Sequence, residues 1–144
     1  MNVWWPVLLA ITVIFFESTQ FMGANNTSGP LRHLFEAVFG PIADDRWMII
    51  HHIVRKCGHF FGYGLMSLAW LRAWTMSRPN LTLLGCGLAA LLSTTLVASC
   101  DEWHQATLPN RTGTPSDVLL DSLGALVLLF LVLAWERFFH PAGA

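Results

Sequence analysis

Four stretches of about 20 mostly apolar residues, at 3–22, 57–76, 81–100 and 116–135, fill more than half of a chain of 144 residues. Each is long enough to cross the hydrocarbon core of a bilayer. Composition agrees: 54% of the side chains are apolar, only 12% are charged, and the mean hydropathy is +0.52. A soluble domain carries about 25% charged residues, so this surface has roughly half the charge that water demands. The expected fold is all-α: a polytopic membrane protein, one domain over residues 1–144, with four transmembrane helices in an antiparallel bundle. With 8 basic and 9 acidic side chains the net charge is −1, which gives no basic stripe for nucleic acid. Cys57, Cys86 and Cys100 lie in apolar segments without Cys-x-x-Cys spacing, so they read as small buried side chains rather than a disulfide framework or zinc knuckle.

The first stretch lacks the basic leader of a signal peptide and contains Glu17, so it is expected to be a helix of the mature protein. Tryptophan favours the membrane interface, and Trp4, Trp5, Trp70, Trp74 and Trp135 fall at one end of the expected bundle, Trp47 and Trp103 at the other. The long connection opens on Gly-Ala-Asn-Asn-Thr-Ser-Gly-Pro, residues 23–30, a coil by composition. Leu31, Leu34, Phe35, Val38 and Phe39 then recur at the spacing of a short amphipathic helix lying on the membrane, ended by Gly40-Pro41. Asp44 or Asp45 caps a new helix that runs into the second span.

Alternating helix directions place nearly all the remaining polar residues at one end of the bundle. Glu17 closes helix 1; Arg55, Lys56 and His59 open helix 2; Asp101, Glu102, His104 and Gln105 follow helix 3; Arg111, Asp117 and Asp121 precede or enter helix 4. Lys56, His59 and Tyr63 stand at i, i+3 and i+7, on one helical face. If helix 3 continues past Cys100, Asp101, His104 and Gln105 form a second polar face, and Asp117, Asp121 and Gly124 a third. Asp121 and Glu17 are expected roughly 7 Å below the interface, where a carboxylate must face a partner or a wet cavity. Structural readings stand beside the functional one: Glu17 locking helices through Lys56 or Arg111, Arg55 snorkelling, Tyr63 anchoring at the interface, His51 and His52 solvated. One cross-helix pair suffices for registry, however, and several convergent groups mark a site.

Arg-Lys-x-x-His-Phe-x-x-Tyr at 55–63, followed by Gly64-Leu65, resembles the first hallmark of the VanZ-like family of small membrane proteins. Asp-Glu-x-His-Gln at 101–105, Pro109-Asn110-Arg111-x-Gly113, Asp117-Val118 and Asp121-x-x-Gly124-Ala125 resemble the second. Phe16-Glu17-Ser18-Thr19-Gln20 is similar to the family's ending of helix 1. Many members read Pro-Gly-Arg where this chain has Pro109-Asn110-Arg111, which alters the turn and keeps the arginine. The resemblance implies a protein of the bacterial cytoplasmic membrane, associated through its name-giving member with low-level resistance to teicoplanin, a glycopeptide acting on peptidoglycan precursors.

The candidate catalytic residues are His59, His104, Asp101, Glu102, Asp117 and Asp121; the candidate substrate-binding residues are Lys56, Arg111, Tyr63, Gln105 and Glu17. Lys56 and Arg111 suit a phosphate or carboxylate. His59 or His104, oriented by Asp117 or Asp121, suits a nucleophile or general acid. That kit fits a lipid-phosphate hydrolase or phosphotransferase. A second reading makes Asp101, His104, Asp117 and Asp121 ligands of a divalent metal, Zn²⁺ or Mn²⁺, although no cofactor is required. A third is a binding or protection factor for an anionic lipid-linked precursor or a glycopeptide-related ligand. Membrane lipids are the expected surroundings. The polar end holds five basic residues against three, or two against three once Arg55, Lys56 and Arg111 are set aside as site residues. The second count favours a site outside the cytoplasm.

Overall fold

The computed structural model describes residues 2–109 and 111–139. Its helices are α1 (Trp5–Ser18), a 3₁₀ turn (Gln20–Met22), α2 (Ala24–Phe39), α3 (Asp44–Ser77), α4 (Leu83–Thr107) and α5 (Pro115–Phe139), and no strand occurs among the described residues. Trp4 packs on Trp70 and Trp74, while Ser18 reaches His104, so α1 runs against α3 and along α4. Trp74 meets Ser93 and Tyr63 meets Asp101, which sets α4 against α3. Lys56 meets Asp117 and Ser67 meets Ala125, which sets α5 alongside α3.

Two of these helices, α4 and α5, are long and apolar enough to cross a membrane, where four such spans are expected from the sequence. The other two fall short for separate reasons. α1 has 14 residues, about 21 Å of helix against a hydrocarbon core of about 30 Å. It stops because Thr19 turns its N–H and hydroxyl back onto the Phe16 carbonyl. α3 is ample at 34 residues, but its apolar half is interrupted by Gly58, His59, Gly62, Gly64, Ser67 and Arg72. The outward faces are nonetheless more apolar than those of a soluble protein, and several polar groups lie inside. Leu84, Leu88, Leu92 and Leu96 line the outside of α4, and Leu119, Leu123, Leu126 and Phe130 the outside of α5, whereas Ser67, Thr94 and Asp121 are wholly buried. That pattern fits a membrane protein.

Close approach of α3 and α5 depends on glycine. A Cβ at Gly124 would strike the backbone of Phe60, and one at Gly64 would press on Leu128 and the Gly124 carbonyl. Removing both side chains brings the two backbones together and registers Lys56 with Asp117 and His59 with Asp121. The inner seam continues through Ile14, Tyr63, Met66 and Ala98, then Leu71, Cys86, Ala90 and Leu129 toward the tryptophan end. Of the three cysteines expected to be buried, only Cys86 is; Cys57 and Cys100 lie on outward faces.

The segment expected as coil at 23–30 is helical from Ala24 onward, with Pro30 inside α2. Proline there removes the hydrogen bond to the Asn26 carbonyl and disfavours the helix, but tertiary contacts offset it. Trp47 Nε1 donates to Ser28 Oγ at 2.7 Å, Thr27 Oγ1 lies 3.2 Å from His51 Nε2, and Asn26 Nδ2 donates to the Gln20 carbonyl at 3.0 Å. α2 thus begins about two turns earlier than its apolar stripe and ends at Gly40, whose φ of 81° suits glycine.

Candidate functional site

α4 runs on to Thr107, two turns beyond the apolar stretch, and this helical extension decides where its polar residues go. Asp101, Glu102 and Gln105 turn inward and are buried. Tyr63 Oη and Gln105 Nε2 both donate to Asp101 Oδ2, at 2.9 and 2.8 Å. Gly113 lets the following loop fold across the end of α4, since any Cβ there would meet the Glu102 carbonyl and the Ala106 nitrogen. The fold-over brings the Thr114 N–H to Glu102 Oε2 at 2.8 Å. From α5, Asp121 is fully buried, with Oδ1 3.2 Å from His59 Nδ1. The His59 ring stacks on Tyr63. Glu102 Oε1 and Asp121 Oδ2 have no hydrogen-bond partner.

Above this acidic layer lies a cleft of about 590 Å³ between α2, α3 and the α4–α5 loop. Three cations line it, Arg55, Lys56 and Arg111, against one carboxylate, Asp117, which pairs with Lys56. His51 and His59 also line it. A second groove of about 720 Å³, walled by Phe21, Met22, Pro30, Leu31, Leu34 and Val54, shares His51, Arg55, His59 and Arg111 with the first. Burial lowers the Arg111 pKa, and Arg55 nearby lowers it further. Burial likewise lowers that of His51, helped by Arg55 and His52, and favours the neutral ring that meets Thr27.

The sequence-predicted residues are therefore distributed unequally. Lys56, His59, Tyr63, Asp101, Glu102, Gln105, Asp117 and Asp121 converge. His104 stands apart: its Nδ1 is 3.0 Å from the buried Ser18 Oγ, its ring stacks on Phe15, and it lines none of the clefts described here. On a helix at 100° per residue it points toward α1 while Asp101 and Gln105 point toward α3. The metal set of Asp101, His104, Asp117 and Asp121 is accordingly not assembled. Among the described residues the group with ligand atoms mutually within 4.8 Å is His59, Glu102 and Asp121.

Glu17 differs as well. Because α1 ends at Ser18, its carboxylate is exposed at the rim instead of a turn and a half inside. Neither expected partner meets it: Lys56 takes Asp117, and Arg111 donates to the backbone carbonyls of Met22 and Glu17, at 3.1 and 2.7 Å. Arg55 joins the Met22 carbonyl at 3.0 Å. Asn110, in the turn before Arg111, lies outside the described residues.

His51, expected to be solvated, is buried, and Arg55 lines both clefts instead of merely snorkelling. A signal for them was present: Trp47, His51, Arg55 and His59 recur every four residues along one face of α3. No curated protein and no solved structure is similar enough to the chain to match it. The family model described as VanZ/LLP1 does match, over residues 3–136, nearly the whole chain and every motif that bears this site, and the chain belongs to that family.

Proposed function

We propose that the chain is a four-span protein of the bacterial cytoplasmic membrane that binds the anionic headgroup of a lipid or lipid-linked envelope precursor, at a site on the extracytoplasmic face. The observation that carries this reading is the meeting of the two clefts. A cationic cleft and an apolar groove share Arg55, Arg111 and His59, so a headgroup phosphate in one and a hydrocarbon chain in the other would belong to a single amphipathic ligand. Outward apolar faces on α1 (Leu8, Leu9, Phe15, Phe16) and α3 (Phe61, Leu65) support membrane placement of these helices beside α4 and α5. His59, held by Asp121 and open to both clefts, is the group placed for proton transfer or nucleophilic attack on a bound phosphate. In the cell, capture of such a precursor is the proposed route to low-level teicoplanin resistance.

The test uses the purified protein in nanodiscs with polyprenyl phosphate, phosphatidic acid and neutral diacylglycerol. Binding of both phosphates well above the neutral lipid is expected. Arg111→Lys keeps the charge but loses the fork, and should weaken binding by about tenfold, the cost of one charge-assisted hydrogen bond. Equal binding of neutral lipid would falsify the anion site. Phosphate released by the wild type but not by His59→Ala marks an enzyme; binding without release marks a binding factor.

A further inference from the structure

The acidic layer beneath the cleft is undercompensated. Asp101, Glu102 and Asp121 are each more than nine-tenths buried, and the neighbouring cations are engaged elsewhere: Lys56 by Asp117, Arg111 and Arg55 by backbone carbonyls. Neutral donors satisfy Asp101. Glu102 and Asp121 share a different pattern, in which one oxygen is fixed in place, by the Thr114 N–H or by His59, and the other has no partner. A buried carboxylate oxygen left so costs several kcal/mol unless a cation or proton meets it.

We propose that His59, Glu102 and Asp121 form a binding site for a divalent transition-metal ion, of the Zn²⁺ or Mn²⁺ class. The three come from α3, α4 and α5, and one ligand atom of each lies within 4.8 Å of the others. Imidazole with carboxylates suits these ions better than Mg²⁺ or Ca²⁺, which prefer all-oxygen shells. Two positive charges would offset the two half-satisfied carboxylates. Three protein ligands also match the pattern of sites where a water or substrate oxygen completes the shell. His59 lines the cationic cleft, so that further ligand would approach from the headgroup side. Metal binding stands independently of lipid binding, but it makes His59 a ligand and so takes the place of the attacking or proton-transferring role proposed for it above; only the approach of a phosphate oxygen to the metal rests on the lipid reading.

The experiment strips the full-length protein with chelator, adds Zn²⁺ or Co²⁺ without lipid, removes excess by gel filtration, and measures retained metal and the visible Co²⁺ spectrum. About one metal per chain is expected, retained in preference to Ca²⁺, because an imidazole-containing site suits these ions better than the all-oxygen shell Ca²⁺ prefers. Asp121→Asn and Glu102→Gln should lose it, while Glu136→Gln at the opposite end keeps it. The two variants guard against a folding failure in either, and a cooperative melt identifies the folded one. No uptake, or equal uptake by a folded Glu102→Gln or Asp121→Asn protein, overturns the site and leaves the two oxygens to protons or water. Repeating the lipid-phosphate measurement on stripped and loaded protein separates the two proposals: stoichiometric metal without lipid binding by either form keeps the metal site and rejects the headgroup reading.

Discussion

Two layers of opposite charge are stacked at the polar end of the bundle, and they are held in different ways. The inner layer, Tyr63, Asp101, Glu102, Gln105 and Asp121, is buried and acidic, cross-linked between helices by Tyr63–Asp101 at 2.9 Å and His59–Asp121 at 3.2 Å. The outer layer, Arg55, Lys56 and Arg111, is cationic, partly open, and held by backbone carbonyls and one ion pair. Buried carboxylates with fixed partners tie helices together, because breaking one contact leaves an expensive group behind. Half-exposed cations cost little to rearrange and so suit an exchangeable ligand. His59 belongs to both layers, bonded to Asp121 below and lining the cleft above.

The most damaging change should be one that separates the layers' common support. Gly124→Val puts a branched side chain where even a Cβ meets the Phe60 backbone. Backbone cannot swing aside, so the loss should reach or exceed the ~3 kcal/mol typical of severe overpacking. Lys56–Asp117 and His59–Asp121 should fail together. A wild-type melting temperature in detergent would mean that the α3–α5 seam does not set the register.

A smaller effect distinguishes the layers directly. Tyr63→Phe removes a buried donor to Asp101 and should cost about 1.5–3 kcal/mol, the range for a hydrogen bond to a charged group. Lys56→Gln breaks a partly exposed pair and should cost no more than about 1 kcal/mol, while weakening lipid-phosphate binding that Tyr63→Phe leaves largely intact. Equal stability losses, or the reverse order, would erase the contrast.

The sequence made this contrast only half legible. Helical spacing on α3 and the Asp101/Gln105 pair forecast which residues meet, because periodicity is local and α4 does continue past Cys100. It could not forecast His104, whose direction depends on how far α4 is turned relative to α1, nor Arg111, whose partners are backbone carbonyls at the end of a helix far away in sequence. Carbonyl acceptors exist at every residue and leave no mark in composition. The helix over 24–30 was hidden for a related reason: Asn, Ser, Gly and Pro read as coil locally, and contacts from Trp47 and His51, a helix away, and from the Gln20 carbonyl stabilise the alternative. Gly113 and Gly124 stood within recognisable motifs, but glycine gives no hint of which backbone it must approach.

The smallest predicted effect concerns the wall of the outer layer. α2, which flanks the cleft, is tethered beyond Gly40 by partly exposed charge: Arg32 Nε donates to Glu36 at 2.9 Å, Arg32 Nη1 to Asp44 at 2.7 Å and Nη2 to the Ile42 carbonyl at 2.6 Å, while the Ile42 N–H donates to Glu36. The Arg32 hydrogen bond, and then the Ile42 N–H, lower the Glu36 pKa below its usual 4.5. With the folded-state value below the unfolded one, the tether's contribution is complete above pH 4.5 and is lost as pH falls through the folded-state pKa. Carboxyl-carbon NMR should show Glu36 titrating below 4.5 in the wild type, and Arg32→Gln should move the midpoint back toward that value. Because these groups face solvent, salt should screen the shift, and the global melting temperature should barely change. The inner layer, out of reach of bulk ions, should keep its Tyr63–Asp101 bond throughout. A Glu36 midpoint unmoved by Arg32→Gln would show that the Ile42 N–H alone sets it, and that α2 is held at the cleft by Trp47 and His51 rather than by charge.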